Sequence, residues 1–553
     1  MAQDKTPEKL FLRKSSGLVR EISTSKAAFY NMSMSIGAAG GLIIGYLALY
    51  PLLLIAGIPL FSWTMVLVAA FMLIFGLIFV VLASAMPRSG GDYVWTSRIM
   101  HPSLAYVEAF LLIIACLGFS GYNGWVLMTS TSGNMLTGLG SSNPQFWIGV
   151  ASWFLVPTNQ YIVGIVMFIA MGAVMTLSAR KIHTVVSVLC FVGLITMVIV
   201  FFSLIAAGSN FNSNFTSMIG KSPDDLVALA NANGMAGFLS TPFSWAMYGG
   251  LLSFAFWAFL GYNLSSYMAG ELKGNVSKTT LYSIIAGLGA ILFTLAVYYL
   301  PMYQAGGTLA PFAWAYLYWN SPSNAPYGQL PFPTTLAAIA HPELWWFYLA
   351  SGIPLMVLFN FLILVAYSIL ASRVVFAMSM DRMAPKWLSE VNARTSSPMR
   401  LMLLLTVGGF LFFVATVYGT SPISTLYFTT IVWLPSWLFP GLNALLLPYR
   451  RKDLFELLSA PWNKKLAGIP LISLLGGIWS AFVVFAYGTT MIPPMLQSLT
   501  SGSGVVAQSL STGILYAIIT AIIAIGLYFV SAWWTKNKTG IDVGLIFKEI
   551  PPE

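Results

Sequence analysis

Residues 254–263 read Phe254-Ala255-Phe256-Trp257-Ala258-Phe259-Leu260-Gly261-Tyr262-Asn263, with Ser265 and Ser266 just beyond, so an apolar run turns polar midway along its length. An earlier apolar run carries Gly37-Ala38-Ala39-Gly40-Gly41. Glycine weakens a helix by about 1 kcal/mol relative to alanine, and hydrocarbon offers nothing to the N–H and C=O groups that a broken helix releases. For one isolated cluster of small residues, close packing between helices is the plainer reading. Two interruptions, the second five apolar runs after the first, instead predict a pair of broken helices lining a cavity near the membrane midplane.

The rest of the chain supplies the membrane segments. Of 553 residues, 58% are hydrophobic and 8% charged, against about 25% charged in an average soluble domain. Runs of roughly 20 apolar residues, each enough to cross a bilayer, fall at 27–56, 62–86, 103–136, 160–179, 182–208, 246–269, 277–302, 344–378, 399–417, 423–447, 468–494 and 510–534. The predicted fold is an all-α integral membrane protein of twelve transmembrane helices over 27–534, with a cytoplasmic leader at 1–26 and a cytoplasmic tail at 535–553. The polar leader shows no cleavable signal peptide. Lys and Arg resist translocation, so their placement tests this map. With the N-terminus cytoplasmic, the inner segments hold 6 basic residues in the leader, 2, 2, 2, 5 and 5 in successive loops and 3 in the tail, which is 25 of the 26. Lys221 alone falls outside. The net charge of +10 therefore reports orientation in a membrane, and nucleic acid is not expected as a partner.

The outer loops at 137–159, 209–245 and 303–343 are long and rich in Gly, Pro, Ser, Asn and aromatic residues, and read as ordered caps. One of them holds a glycosylation-type triplet, Asn214-Phe215-Thr216, a pattern that arises often by chance. Cys116 and Cys190 both lie inside apolar runs, which predicts structural thiols and neither a disulfide nor a thiolate metal site.

After the second run comes Met86-Pro87-Arg88-Ser89-Gly90-Gly91-Asp92-Tyr93-Val94-Trp95, similar to the P-x-x-G-G-x-Y segment of the amino acid, polyamine and organocation (APC) transporter superfamily. Ser372-Arg373 with Ala377-Met378-Ser379-Met380-Asp381-Arg382-Met383-Ala384-Pro385 resembles the stretch after that family's helix eight, and Trp257-x-Phe259-x-Gly261 resembles its helix-six break. The resemblance covers most of the chain. It implies two inverted five-helix repeats, 27–208 and 246–447, with helices one and six broken, and two peripheral helices at 468–494 and 510–534. It also implies a permease carrying amino acids across the plasma membrane by alternating access, as a monomer or homodimer. Carried over by motif, Gly37, Ala38, Ala39, Gly40 and Gly41 would offer amides to a carboxylate. The carbonyls around Phe256, Trp257 and Phe259, next to Gly261, would receive an amino group, and Trp257 matches an aromatic gate.

Polar residues within other spans are candidates for the remaining wall: Tyr122 and Asn123 in the third, and Asn360 in the eighth. Interhelical hydrogen bonding is the alternative for each. Trp433 in the tenth is a second candidate gate. Glu108 near the start of the third run is expected to pair with Arg88 or Arg98, and Glu271 to anchor the inner end of the sixth. Otherwise the spans hold almost no ionisable side chain. Because an isolated buried charge is costly, this favours a zwitterionic or neutral solute over arginine, glutamate or a polyamine. No cofactor is expected. For coupling by a sodium ion, Ser368 and Ser372 share one helix face at a four-residue spacing and are candidate ligands, although serines so placed often bond their own backbone. Proton coupling, uniport and exchange stay open.

A membrane enzyme needs a reactive constellation, yet His101, His183 and His341 sit at helix ends far apart, with no H-E-x-x-H and no G-x-S-x-G. A sensor on the same architecture needs an output domain, and the polar segments leave little room for one. A carrier of nucleobases or other neutral metabolites would share the helix breaks and is the nearest alternative.

Overall fold

The computed structural model describes residues 18–48, 50–206, 210–236, 248, 252, 255–256, 258–304, 309–418, 431–492, 505–540 and 543–548, without the side chains of 37–62, 298–304, 356–357, 489–491 and 505–512. In chain order the helices are α1 Thr24–Ala48, α2 Tyr50–Ala85, the short α3 Asp92–Ile99, α4 Pro102–Met135, α5 Pro144–Trp153, α6 Pro157–Met175, α7 Ala179–Ile205, α8 Phe211–Ile219 and α9 Pro223–Ala232. They continue as α10 Val276–Gln304, α11 Ala310–Asn320, α12 Pro333–Ala340, α13 Trp345–Gly352, α14 Phe359–Met380, α15 Met399–Tyr418, α16 Leu438–Arg450, α17 Lys452–Glu456, α18 Leu471–Phe485, α19 Val505–Thr539 and α20 Val543–Ile546.

Among the described residues, ten helices are long and apolar enough to cross a membrane. Each overlaps one of the twelve predicted runs. Of the other two runs, 27–56 meets α1 and the start of α2, and 246–269, described at 248, 252, 255–256 and 258–269, leaves the α-helix after Ala258. Between α13 and α14, Ile353–Leu358 forms a turn of π-helix that begins beside Pro354. Proline has no N–H to give the preceding turn, so the backbone widens there instead of stopping.

Helix one departs from expectation. Its backbone is α-helical without interruption through Gly37–Gly41, so a break is not present there. A bilayer satisfies no released amide, so the glycine cluster keeps its helical hydrogen bonds despite its low propensity. As a whole, α1 packs most extensively along α10.

The described residues of the loops at 137–159, 209–245 and 303–343 fold as caps. Helix α12 is buried along its whole length and docks on the end of α4, where Thr335 Oγ1 donates to Gly133 O at 2.8 Å and Thr334 Oγ1 to Asn134 Oδ1 at 2.9 Å. Trp314 on α11 donates to Gln329 O at 2.7 Å. Asn214 lies within α8 and turns its amide to Ala340 O at 3.3 Å. At the periphery, α19 leaves Leu515, Ile522, Phe529 and Trp533 exposed, a face suited to lipid. By contrast α18 is keyed into the bundle: Trp479 is fully buried, stacks on Phe75 at 4.2 Å and donates to Trp437 O at 2.8 Å.

Candidate functional site

The sixth run breaks where its sequence turns polar. Phe256 and Ala258 are helical, Phe259–Asn263 form turns, and 3-10 helix follows at Leu264–Tyr267 and Ala269–Glu271. Gly261 takes φ +84°, in the left-handed region that side chains other than glycine avoid. It also lies against α1: a Cβ there would meet Met34 Sδ at 2.6 Å. The unwound chain is satisfied from α1 and α10. Ser265 N donates to Asn31 Oδ1 at 2.8 Å, and the Ser265 and Ser283 hydroxyls are 2.8 Å apart. The Phe256 carbonyl accepts the Phe259 N–H at 3.2 Å, and Trp257 lies outside the described residues.

The Phe256 ring points to Trp437, at 5.8 Å. From there an aromatic chain leads inward: Trp437 to Trp433 at 6.5 Å, Trp433 to Tyr367 at 6.1 Å and to Phe119 at 5.6 Å, and Phe119 stacked on Tyr367 at 5.5 Å. Asn123 is one turn beyond Phe119 on the same face of α4 and donates to its carbonyl at 2.8 Å. Three buried polar atoms here meet no hydrogen-bond partner among the described residues: Asn123 Oδ1, Tyr367 Oη and Trp433 Nε1. Each orphan of this kind costs about 1–3 kcal/mol.

The other candidates divide. Asn360 donates to Ser130 Oγ at 3.4 Å, an interhelical bond. Tyr122 is buried beside Trp125 at 6.0 Å. Gly37–Gly41 remain helical, so their amides are not on offer in this conformation. Ser368 is buried, while Ser372 donates to Ile369 O at 2.7 Å and accepts from Arg373 Nη1 at 3.1 Å. A guanidinium so close repels a sodium ion. Tyr367, Phe119 and Asn31 carried no sequence signal that separates them from residues that merely pack.

Beside the break, the charges pair in ways the sequence did not foretell. Glu271 anchors the sixth segment through a bidentate pair with Arg373, 2.8 Å on both branches. Arg98 pairs with Asp381 at 2.7 and 2.6 Å and not with Glu108, which accepts from the Thr96 hydroxyl instead. Backbone bonds close the same end: Ile22 N to Glu271 O at 3.0 Å, Lys273 N to Ile22 O at 2.8 Å and Gly90 N to Tyr267 O at 2.9 Å. Glycine is required in that last contact, since Gly90 takes φ +119° and Gly91 φ +49° against the Tyr267 ring. Hence the glycine pair of the segment after the second helix seats directly on the broken sixth.

The profile described as "Amino acid permease" matches residues 22–523. The chain belongs to the APC amino acid permease family. No curated protein matches it. The family is one of transporters and not of enzymes, so this permease is a multi-pass membrane protein acting on a small-molecule substrate.

Proposed function

We propose that this permease is a secondary active transporter of neutral, zwitterionic amino acids, working by alternating access across the plasma membrane with both termini cytoplasmic. Two inverted five-helix repeats, 27–208 and 246–447, would rock about the broken segment, within a twelve-helix chain. The carrying observation is the set Asn123 Oδ1, Tyr367 Oη and Trp433 Nε1, buried and unpartnered among the described residues, with no charged side chain in the cluster. An ammonium needs acceptors, which the amide and phenol oxygens provide. A carboxylate needs donors, which the indole N–H provides. A solute of zero net charge leaves no buried charge uncompensated. Gly37–Gly41 would complete the carboxylate's shell by unwinding once it arrives, because that stretch gives up helix at little cost. Trp257 and Trp433 would close over the bound solute.

Ligands that bind the folded state raise its stability by mass action, about 2.7 kcal/mol at a concentration 100 times Kd. Thermal unfolding of the purified permease is measured against neutral, acidic and basic amino acids, amines and nucleobases. Stabilisation by neutral amino acids, lost in Tyr367→Phe and Trp433→Phe, supports the assignment. Stabilisation by nucleobases or amines alone refutes the substrate class.

A further inference from the structure

A second polar cluster lies outside the solute site and is made almost wholly of acceptors. Asp92, the first residue of α3, and Glu108, in the second turn of α4, are 2% and 1% exposed. Asp92 Oδ2 accepts from the Tyr267 hydroxyl, and Glu108 Oε2 from the Thr96 hydroxyl. Asp92 and Thr96 stand one turn apart on the same face of α3. From α16, Asn443, fully buried, donates through Nδ2 to Thr96 Oγ1 at 2.7 Å. Three oxygens of this group find no donor among the described residues: Asp92 Oδ1, Glu108 Oε1 and Asn443 Oδ1.

Neither acid forms an ion pair among the described residues. The neighbouring cations are engaged elsewhere: Arg98 with Asp381, Arg373 with Glu271, and Arg450 with the carbonyls of Ile99 and Met100. Arg88 donates to Pro87 O at 3.2 Å. The other titratable groups around the pair, Tyr93, Tyr106, Tyr267 and Cys116, are of types uncharged at neutral pH. Two carboxylates cannot both ionise in so dry a place without a counterion.

We propose that Asp92 and Glu108 together bind a proton that the permease carries along with its solute. The inference rests on the transporter reading above. When this end of the bundle is dry, the proton sits on one of the orphaned oxygens, Asp92 Oδ1 or Glu108 Oε1, and the pair titrates as a unit. When water enters, the O–H bond breaks, the proton passes to water as hydronium, and the carboxylate left behind is solvated. Tyr267 belongs to the 3-10 segment after the helix-six break, so the bond it gives Asp92 links the acid pair to the part of the chain that holds the solute.

The test uses the full chain in proteoliposomes with L-leucine as probe. A gradient of one pH unit, about 1.4 kcal/mol per proton, drives up to about tenfold accumulation through one coupled proton. Wild type should accumulate L-leucine down the proton gradient, and the ratio of gradient-driven accumulation to L-leucine exchange should fall about tenfold in Asp92→Asn and Glu108→Gln. Accumulation that persists in both variants, or that follows a sodium gradient instead, overturns the proposal. A second measurement does not depend on transport. Infrared spectra of the purified wild type should contain a buried protonated-carboxyl band at neutral pH that bleaches as the pH rises and is missing when Asp92→Asn and Glu108→Gln are combined. Absence of that band from wild type, or its displacement by sodium chloride at constant pH, overturns the proton site. Failure of L-leucine to exchange while the band is present counts against the substrate reading alone.

Discussion

Replacing Gly261 by alanine tests the helix-six break at its tightest point. At φ +84° a side chain costs about 1–2 kcal/mol. The added Cβ would also lie 2.6 Å from Met34 Sδ and 2.9 Å from Met34 Cβ, with Cγ closer still. Overpacking of this kind adds about 1–3 kcal/mol, so Gly261→Ala should destabilise by about 2–5 kcal/mol in all. Met34→Ala alone leaves a cavity, at about 2–5 kcal/mol. In the double variant Cγ and Sδ of Met34 are no longer there to collide, while the backbone strain and the 2.9 Å approach of the Cβ at position 34 remain. The two changes should therefore couple favourably by about 1–3 kcal/mol. Cys116 and Cys190 are free and buried, so a thiol-reactive dye reports unfolding in detergent without any label being introduced. Strict additivity would show that Met34 does not touch residue 261. A neutral Gly261→Ala would show that the chain is not left-handed there, and the break would have to be redrawn.

Two further outcomes follow from the charges. Glu271→Gln strands the buried Arg373 and should lower stability by about 3–5 kcal/mol, whereas Glu271→Leu combined with Arg373→Met should recover most of the loss, as read by the same thermal assay. Asp92 lies outside the membrane spans, and its carboxyl is pushed from the ordinary 3.8 up to about 7 by burial, against the lowering effect of the Tyr267 hydroxyl and of its own backbone N–H. Between those two values the folded protein holds more protons than the unfolded chain. This contribution is thus fully present below about pH 4 and is lost as the pH rises through about 7, and Asp92→Asn should flatten that slope in a thermal scan.

The spans were legible because a bilayer imposes length and composition on each one separately, with no long-range information needed. Gly261 was legible for a related reason: an apolar run that turns polar inside a membrane has few ways to satisfy its backbone. The same reasoning misjudged Gly37–Gly41, since low propensity permits unwinding and does not compel it. What stayed hidden depends on distance along the chain. Arg98 and Asp381 are 283 residues apart, and only the fold tells Arg98 to choose Asp381 over the nearer Glu108. Tyr367 and Phe119 are two among many aromatics in a chain where these make up 15% of residues, and only the unpartnered hydroxyl of Tyr367 sets it apart.

At the end of the bundle that holds Glu271, buried charges, and not more leucines, join the elements. The pairs Arg373–Glu271 and Arg98–Asp381 are buried, yet a buried ion pair gains little net free energy, because lost hydration offsets most of the attraction. In the alternating-access cycle proposed above, that balance is useful. When the end opens, each charge regains water, so separation carries a much smaller penalty than exposing an apolar seal of equal area. The geometry of closure is nonetheless specific, since two bidentate forks must meet in register with the Ile22 and Gly90 backbone bonds. Asp92 and Glu108, set among these pairs without a cation of their own, bring negative charge to the same closure. On the proposal above, one shared proton removes half of that charge, which would tie protonation of the pair to the packing of this end.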